Sequence, residues 1–241
     1  MMKIRLDTRP AVLFGGLTLL GLLVFLPMRL VLGLVGLGEY GLSARAVTGP
    51  VWYGQLMEAR LGDLSLGDLR ARLSPFQLLL GRARLDLNGP AQGDKPGLVG
   101  AISTSRYGFG IDDMTGSVPT GSVFAPLPIN RIELEGVSIR FDSGACAVAQ
   151  GRVKAQLSGA IATVPLPQAM SGTVKCEGGA LIVPLVSQAG TESVTLSIRA
   201  NGRYRATLDI QSSDPAVAQK LGLVGFQQAG AGYRLSTEGQ F

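Results

Sequence analysis

The chain opens with a long apolar segment, and shorter stretches of alternating apolar and polar residues follow it. Residues 11–37 contain a single charge, at Arg29, and three basic residues precede them. A run of this length with one charge is typical of a membrane-spanning helix, which needs about 20 apolar residues. The basic residues place the N-terminal side in the cytoplasm by the positive-inside rule. We therefore expect a cytoplasmic tail over residues 1–10, a single transmembrane anchor over 11–37 and an exported domain over 38–241.

A cleaved signal peptide is the alternative interpretation of this segment. Ala44-Arg45-Ala46 has the small–x–small form of a cleavage site, and the basic start is also typical of a signal peptide. The apolar stretch is nevertheless longer than the roughly 7–15 residues of a signal-peptide core. Both interpretations place the rest of the chain on the exported side of the membrane.

Alternation of apolar and polar residues indicates β-strands with one covered and one solvated face. It is clearest over residues 82–87, 152–157, 194–199 and 203–210. Elsewhere the alternation slips by one residue around a glycine, at Gly67 and at Gly136. A β-bulge produces such a slip, and bulges bend a sheet. The pattern predicts a mainly β exported domain built on a curved antiparallel β-sheet.

Helical signals outside the anchor are sparse. Residues 74–81 and 214–222 each combine a proline near the start with a glycine stop, which is typical of a short helix. Residues 88–97 and 159–172 are rich in glycine, proline and alanine, and we expect loops there. One or two short helices should therefore accompany the sheet.

Charge and composition exclude several classes of function. The net charge is +5, but more than half of it lies in residues 1–37, and the exported part has no run of like charge. Nucleic acid is therefore not expected as a partner. The chain contains no histidine, which excludes Ser-His-Asp and Cys-His nucleophiles and imidazole metal sites. We expect no enzyme, with no catalytic residues, no cofactor, no metal and no small-molecule substrate.

Adjacent carboxylates at Asp112 and Asp113 are the nearest approach to a chemical site. Neighbouring residues of a strand point to opposite faces, so the pair could not act together there. We interpret these residues as part of a turn.

Four residues are candidates for structural or contact roles. Cys146 and Cys176 lie in the exported part, where an oxidising compartment favours a disulfide; two unpaired buried thiols are the alternative. Trp52 and Tyr53 follow a turn-like Thr-Gly-Pro just beyond the apolar segment. A core or interface role is the simpler interpretation of these aromatics, and contact with lipid or a protein partner is the functional one.

Short glycine-containing motifs recur along the exported part in a fixed order. They are VTGPVWYG at 47–54, LGDL at 66–69, LSP at 73–75, LLLG at 78–81, SGTVKC at 171–176, GRY at 202–204, LVGF at 223–226 and GYRL at 232–235. The ordered series resembles the protein N family of the type II secretion system, also called general secretion pathway protein N. One departure is Arg72, near which the family pattern has a second tryptophan.

The resemblance implies a bitopic inner-membrane accessory or scaffold component with a periplasmic β-rich domain. Such a component supports transport of folded exoproteins from the periplasm across the outer membrane. Its implied partners are other type II secretion system components and, through the N-terminal helix, inner-membrane lipid. The resemblance implies neither catalysis nor a cofactor.

A function of another class is a membrane-anchored periplasmic lipid-handling protein with an AsmA-like β-groove. The apolar concave face of a curved sheet could hold an acyl chain. A continuous apolar trough would favour this alternative, whereas a filled core would favour the scaffold.

Overall fold

A computed structural model describes residues 8–35, 42–91, 96–121, 123–157, 159–161, 164–212 and 214–240. Its helices are α1 (Thr8–Val24), α2 (Met28–Val35), α3 (Pro75–Leu79) and α4 (Pro215–Leu223). Its strands are β1 (Leu42–Ser43), β2 (Ala46–Thr48), β3 (Gly54–Leu61), β4 (Leu64–Leu73), β5 (Arg82–Asn88), β6 (Val99–Ser105), β7 (Gly108–Pro119), β8 (Ile129–Asp142), β9 (Ala145–Leu157), β10 (Ala160–Ile161), β11 (Val164–Pro165), β12 (Ala169–Thr173), β13 (Lys175–Glu177), β14 (Ala180–Ser187), β15 (Glu192–Ile198), β16 (Arg203–Gln211), β17 (Gln227–Ala229) and β18 (Gly232–Gln240).

Sixteen of the strands in the described residues form one antiparallel sheet. The order is β1-β3-β4-β5-β6-β7-β8-β9-β12-β14-β15-β16-β18-β17, with β2 also on β3 and β13 also on β14. Most neighbours in the sheet are therefore neighbours along the chain, which makes the sheet a long meander. A separate hairpin is formed by β10 and β11. The prediction of a mainly β fold with an antiparallel sheet is confirmed.

The four clearest alternating segments lie in β5, β9, β15 and β16. In β16 the residues Tyr204, Ala206, Leu208 and Ile210 are buried, and the residues between them are exposed or half-buried. Burial of each large apolar side chain contributes about 1.5–3 kcal/mol. Local alternation therefore defines which face of each strand meets the core.

Bulges occur at both glycines where the alternation slips. Gly67 has a φ of 76° and lies opposite Ala59, where the β3–β4 register shifts. Gly136 has a φ of 57° and lies where β8 shifts against both β7 and β9. Glycine enters this left-handed region without the steric cost of a Cβ atom, and each bulge adds local twist. The two predicted bulges are confirmed.

The core lies on one face of the sheet and is covered by α2 and by the β7–β8 connection. Met28 of α2 is 1% exposed. It approaches Gly54 so closely that a Cβ atom added to this glycine would lie 2.4 Å from the Met28 sulfur. From the β7–β8 connection, Phe124 is buried and packs edge-to-face on Tyr204, with ring centroids 5.5 Å apart. The Tyr204 hydroxyl donates to the Val123 carbonyl, and burial raises the pKa of this phenol above its ordinary value.

Within the apolar segment 11–37, where a single transmembrane anchor was expected, the described residues form two helices. Helix α1 ends at Val24 and α2 begins at Met28. Pro27 lacks an N–H group and disfavours helical geometry in the residue before it. Hydrogen bonds from the Met28 N–H to the Gly49 carbonyl (3.1 Å) and from the Val51 N–H to the Leu26 carbonyl (2.8 Å) hold the break against the sheet.

Helix α1 contains 17 residues. Among the residues that the structure describes, no helix combines the length and the apolar character needed to cross a membrane.

Both short helices are confirmed as α3 and α4, but one predicted loop is wrong in part. Within residues 159–172, strand β12 (Ala169–Thr173) lies between β9 and β14. Met170 is 1% exposed, and a Cβ on Gly172 would lie 1.6 Å from the Pro184 carbonyl oxygen. Gly172 permits the close approach of β12 and β14. Composition alone does not separate a glycine in this role from a glycine in a turn. In 88–97, residues 92–95 lie outside the described residues, and 89–91 have no regular structure.

Candidate functional site

Trp52 and Tyr53 lie in the turn between β2 and β3, where the N-terminal helices meet the sheet. The half-buried Trp52 donates its indole N–H to the Leu23 carbonyl at 3.0 Å, which ties the end of α1 to the sheet. Tyr53 is 65% exposed, and the Arg72 guanidinium lies 4.6 Å from its ring centroid. Of the two aromatics, Trp52 therefore has a structural contact, and Tyr53 offers a surface for lipid or protein.

Exposed apolar side chains continue from Tyr53 over two neighbouring turns at the same end of the sheet. The proximal rim consists of Tyr53, Phe76, Leu78, Leu80 and Tyr107, which are 41% to 78% exposed. The apolar run 76–80 has the composition of a buried segment, so sequence alone did not separate these residues from the core. An aromatic beside an arginine within a turn, as at Arg106-Tyr107, is the signal that could have identified the rim.

The predicted disulfide is present in the structure. It joins Cys146 of β9 to Cys176 of β13, which are separated by 30 residues. Strand β13 has three residues and pairs with β14 alone among the described strands, so the disulfide adds a second attachment to the sheet. Next to it, the hydrogen bond and charge of Lys175 lower the pKa of Glu177 below its usual value.

The adjacent carboxylates lie within strand β7, which corrects the expectation of a turn. Asp112 accepts a hydrogen bond from Arg84 at 3.2 Å and lies 3.6 Å from Arg140. Asp113 has a φ of 49° at a register shift in β7, and its N–H donates to the Ser138 hydroxyl at 2.9 Å. A bulge explains the apparent turn, because it interrupts alternation without ending the strand. Asp112 therefore connects β7 to β8 and, across β6, to β5, and Asp113 connects β7 to β8.

The two edges of the large sheet are covered to different extents. The outer side of β3 is covered by β2 at residues 55–57 and by β1 at residues 60–61. The outer side of β18 is covered by β17 at residues 232–234, and within the described chain no strand pairs with residues 235–240 on that side. An uncovered strand presents backbone N–H and C=O groups that can pair with another chain.

Charged pairs fix β18 on its inner neighbour. Arg234 donates to Asp209 at 2.7 Å, and this hydrogen bond raises the pKa of Arg234 above its ordinary value. Arg205 donates to Glu238 at 2.8 Å. Both pairs are exposed to solvent, so they orient the strand more than they stabilise the fold. The strand order that leaves this edge open is a property of the whole sheet, and no local pattern in the sequence signals it.

The apolar interior beside α2 is filled. The cavity lined by Met28, Val31 and Leu85 has a volume of about 10 Å³, which holds at most about one water. A cavity of about 360 Å³ near α4 is lined in part by Ser212 and Gln228, which are polar. Neither cavity is the continuous apolar trough that a lipid-handling function requires.

Comparisons with known proteins agree with the motif series. The family described as Type II secretion system (T2SS), protein N, matches residues 40–236. A protein named Type II secretion system protein N, from Vibrio cholerae serotype O1, is 27% identical over 211 residues, which are 80% of this chain and 81% of that protein. No solved structure matches the chain. Because the family match extends over almost the whole β domain, the chain belongs to the type II secretion system protein N family.

Proposed function

We propose that this protein is a bitopic inner-membrane scaffold of the type II secretion system. It supports the transport of folded exoproteins from the periplasm across the outer membrane and catalyses no reaction itself. The observation that carries the proposal is the uncovered outer side of β18 over residues 235–240; at the other end of the sheet, the short strands β1 and β2 cover β3. Because the chain belongs to the type II secretion system protein N family, we expect the partners of that edge among the other components of this secretion system.

Helix α1 serves as the membrane anchor in this proposal. Its large apolar side chains are exposed, with Phe14 at 76% and Val12 at 72%. Its length of 17 residues is at the short end of the range for spanning helices, which is about 17–25 residues. The basic residues before it favour a cytoplasmic N-terminus and therefore a periplasmic sheet. The disulfide between Cys146 and Cys176 is in keeping with an oxidising compartment.

The uncovered edge supplies a way to bind another secretion component. An extended segment of a partner can add to residues 235–240 as a further antiparallel strand, with main-chain hydrogen bonds providing affinity. The alternating side chains of β18 then provide specificity, among them the Glu238 carboxylate held by Arg205. At the opposite end of the large sheet the outermost strands β1 and β2 have only two and three residues, so among the described strands at the two ends β18 offers the longest uncovered stretch.

The lipid-handling alternative receives less support. The cavity between α2 and the sheet accommodates about one water rather than an acyl chain. Met28 and Val51, which line it, are 1% and 0% exposed, so the apolar face of the sheet beneath α2 is already occupied.

Deletion of the gene tests the proposed function. We expect exoproteins to accumulate in the periplasm and to decrease in the medium, because assembly of the secretion apparatus loses one of its contacts. The measurement is the ratio of periplasmic to extracellular exoprotein, with a plasmid copy of the full chain as the control that restores it. An unchanged ratio in the deletion strain would count against the proposal.

A further inference from the structure

We propose that the proximal rim docks onto an anionic phospholipid surface beside α1, so that the sheet is held at a fixed orientation on the membrane. This inference rests on the proposed anchoring of α1. It assigns a membrane contact to residues of the β domain itself, outside the N-terminal helix.

The rim lies at the end of the sheet where the anchor joins it. The first residue of β3, Gly54, pairs with Ala71 near the end of β4. The first residue of β5, Arg82, pairs with Ser105 at the end of β6. The turns that carry Tyr53, the α3 helix and Tyr107 are therefore side by side. The hydrogen bond from Trp52 to the Leu23 carbonyl places the end of α1 next to the first of them.

Side-chain exposure within the rim is unusually concentrated. Leu80 is 78% exposed, Phe76 77% and Tyr107 68%. Single exposed apolar residues are common on soluble proteins and need no explanation. Here, however, the five rim residues share three adjacent turns, and the first of these turns contacts α1, whose large apolar side chains are also exposed. Tyrosine rings are favoured at the membrane–water interface, where one end is apolar and the other is wet.

Charge favours lipid over a second protein as the occupant. Arg72, Arg82 and Arg106 are exposed among the rim residues, and residues 48–54, 74–82 and 105–108 contain no acidic residue. The Arg106 guanidinium lies 5.9 Å from the Tyr107 ring centroid, which repeats the arrangement of Arg72 over Tyr53. Such pairs present an aromatic ring and a cation together, and each basic residue near an anionic surface contributes about 1 kcal/mol of attraction.

The β3–β4 turn has the opposite character. It carries Asp63 and lies at the far end of the two strands whose other ends adjoin Tyr53 and α3. This difference between the two ends fixes the direction of docking, since an anionic surface attracts the arginine-bearing end and repels the other.

Tryptophan quenching in lipid nanodiscs tests the inference with the full chain. The native chain has one tryptophan, Trp52, so Tyr107→Trp adds one indole on the rim, and the native chain gives the emission and quenching of Trp52 alone. The nanodiscs contain phosphatidylcholine brominated near the headgroup and one-third phosphatidylglycerol. We expect about a twofold loss of the emission that the added indole contributes, because an interfacial side chain lies roughly 5–10 Å into the headgroup region. The matched control is Val99→Trp, since Val99 is 47% exposed at the end of β6 away from the rim, and the emission of that added indole should not change.

Charge reversal provides a second readout. Arg82→Glu with Arg106→Glu, added to the rim variant, should reduce the docked population by about fivefold for each arginine removed. Nanodiscs of brominated phosphatidylcholine alone should also weaken the quenching. If the chain stays in the disc and the rim indole is not quenched, docking is refuted and the anchor stands. Equal quenching of the indoles added at positions 107 and 99 also refutes docking. A chain that separates from the disc refutes the anchor, and the docking with it.

Discussion

Replacing both cysteines, by Cys146→Ser with Cys176→Ser, should lower the free energy of unfolding by about 3–4 kcal/mol on the chain-entropy account of disulfides. The disulfide closes a loop across a 30-residue separation, and the reduced chain recovers that conformational freedom when it unfolds. The short strand β13 also loses its covalent attachment to β9. The measurement is the urea midpoint and slope of the full chain under non-reducing conditions.

The matched control for this prediction is the native chain with a thiol reductant. Its unfolding curve should move to that of the double variant, whereas the variant should not respond to the reductant. Identical midpoints for the native chain and the double variant, both without reductant, would show that the disulfide does not support the fold.

Substitution of one glycine, Gly172→Ala, should destabilise the sheet by about 3 kcal/mol, at the upper end of the usual range for overpacking. The added methyl would lie 1.6 Å from the Pro184 carbonyl oxygen, and that oxygen belongs to the backbone of β14, which cannot rotate away. The expected result is a lower urea midpoint together with faster amide exchange in β12 and β14.

Gly222→Ala is the matched control. A Cβ at Gly222 meets nothing within 4 Å and lies in α4, so the change should be neutral or raise stability by up to about 1 kcal/mol. Equal midpoints for Gly172→Ala and Gly222→Ala would mean that β12 does not pack against β14 as described.

Much of the fold follows from local patterns in the sequence. Alternation in 203–210 defines β16, and the slip at Gly136 defines a bulge, because both depend on the residues of one strand and its immediate neighbours. The α3 and α4 helices follow from a proline at the start and a glycine at the end. The pairing of Cys146 with Cys176 follows from the oxidising compartment expected for the exported part and from the presence of only two cysteines in the chain.

Features that depend on distant neighbours could not be predicted in this way. Gly172 resembles a loop glycine until Pro184 is placed against it. The break after Val24 is maintained by hydrogen bonds between the helix junction and residues 49–51. Both candidate surfaces have the same origin. The β18 edge is open because of strand order, and the rim forms because three turns that are distant in sequence lie side by side.

Site-specific photo-crosslinking in secreting cells tests the central claim, that the β18 edge binds another secretion component. A photoreactive side chain is placed at Ser236, on the uncovered strand, or at Ser171. Ser171 is also exposed, but its strand is paired on both sides, with Lys154 of β9 and Val186 of β14 opposite it. We predict a crosslink from position 236 to a type II secretion component, identified by mass spectrometry, and none from position 171. The same adduct from both positions, or no secretion component captured at 236, would contradict the account.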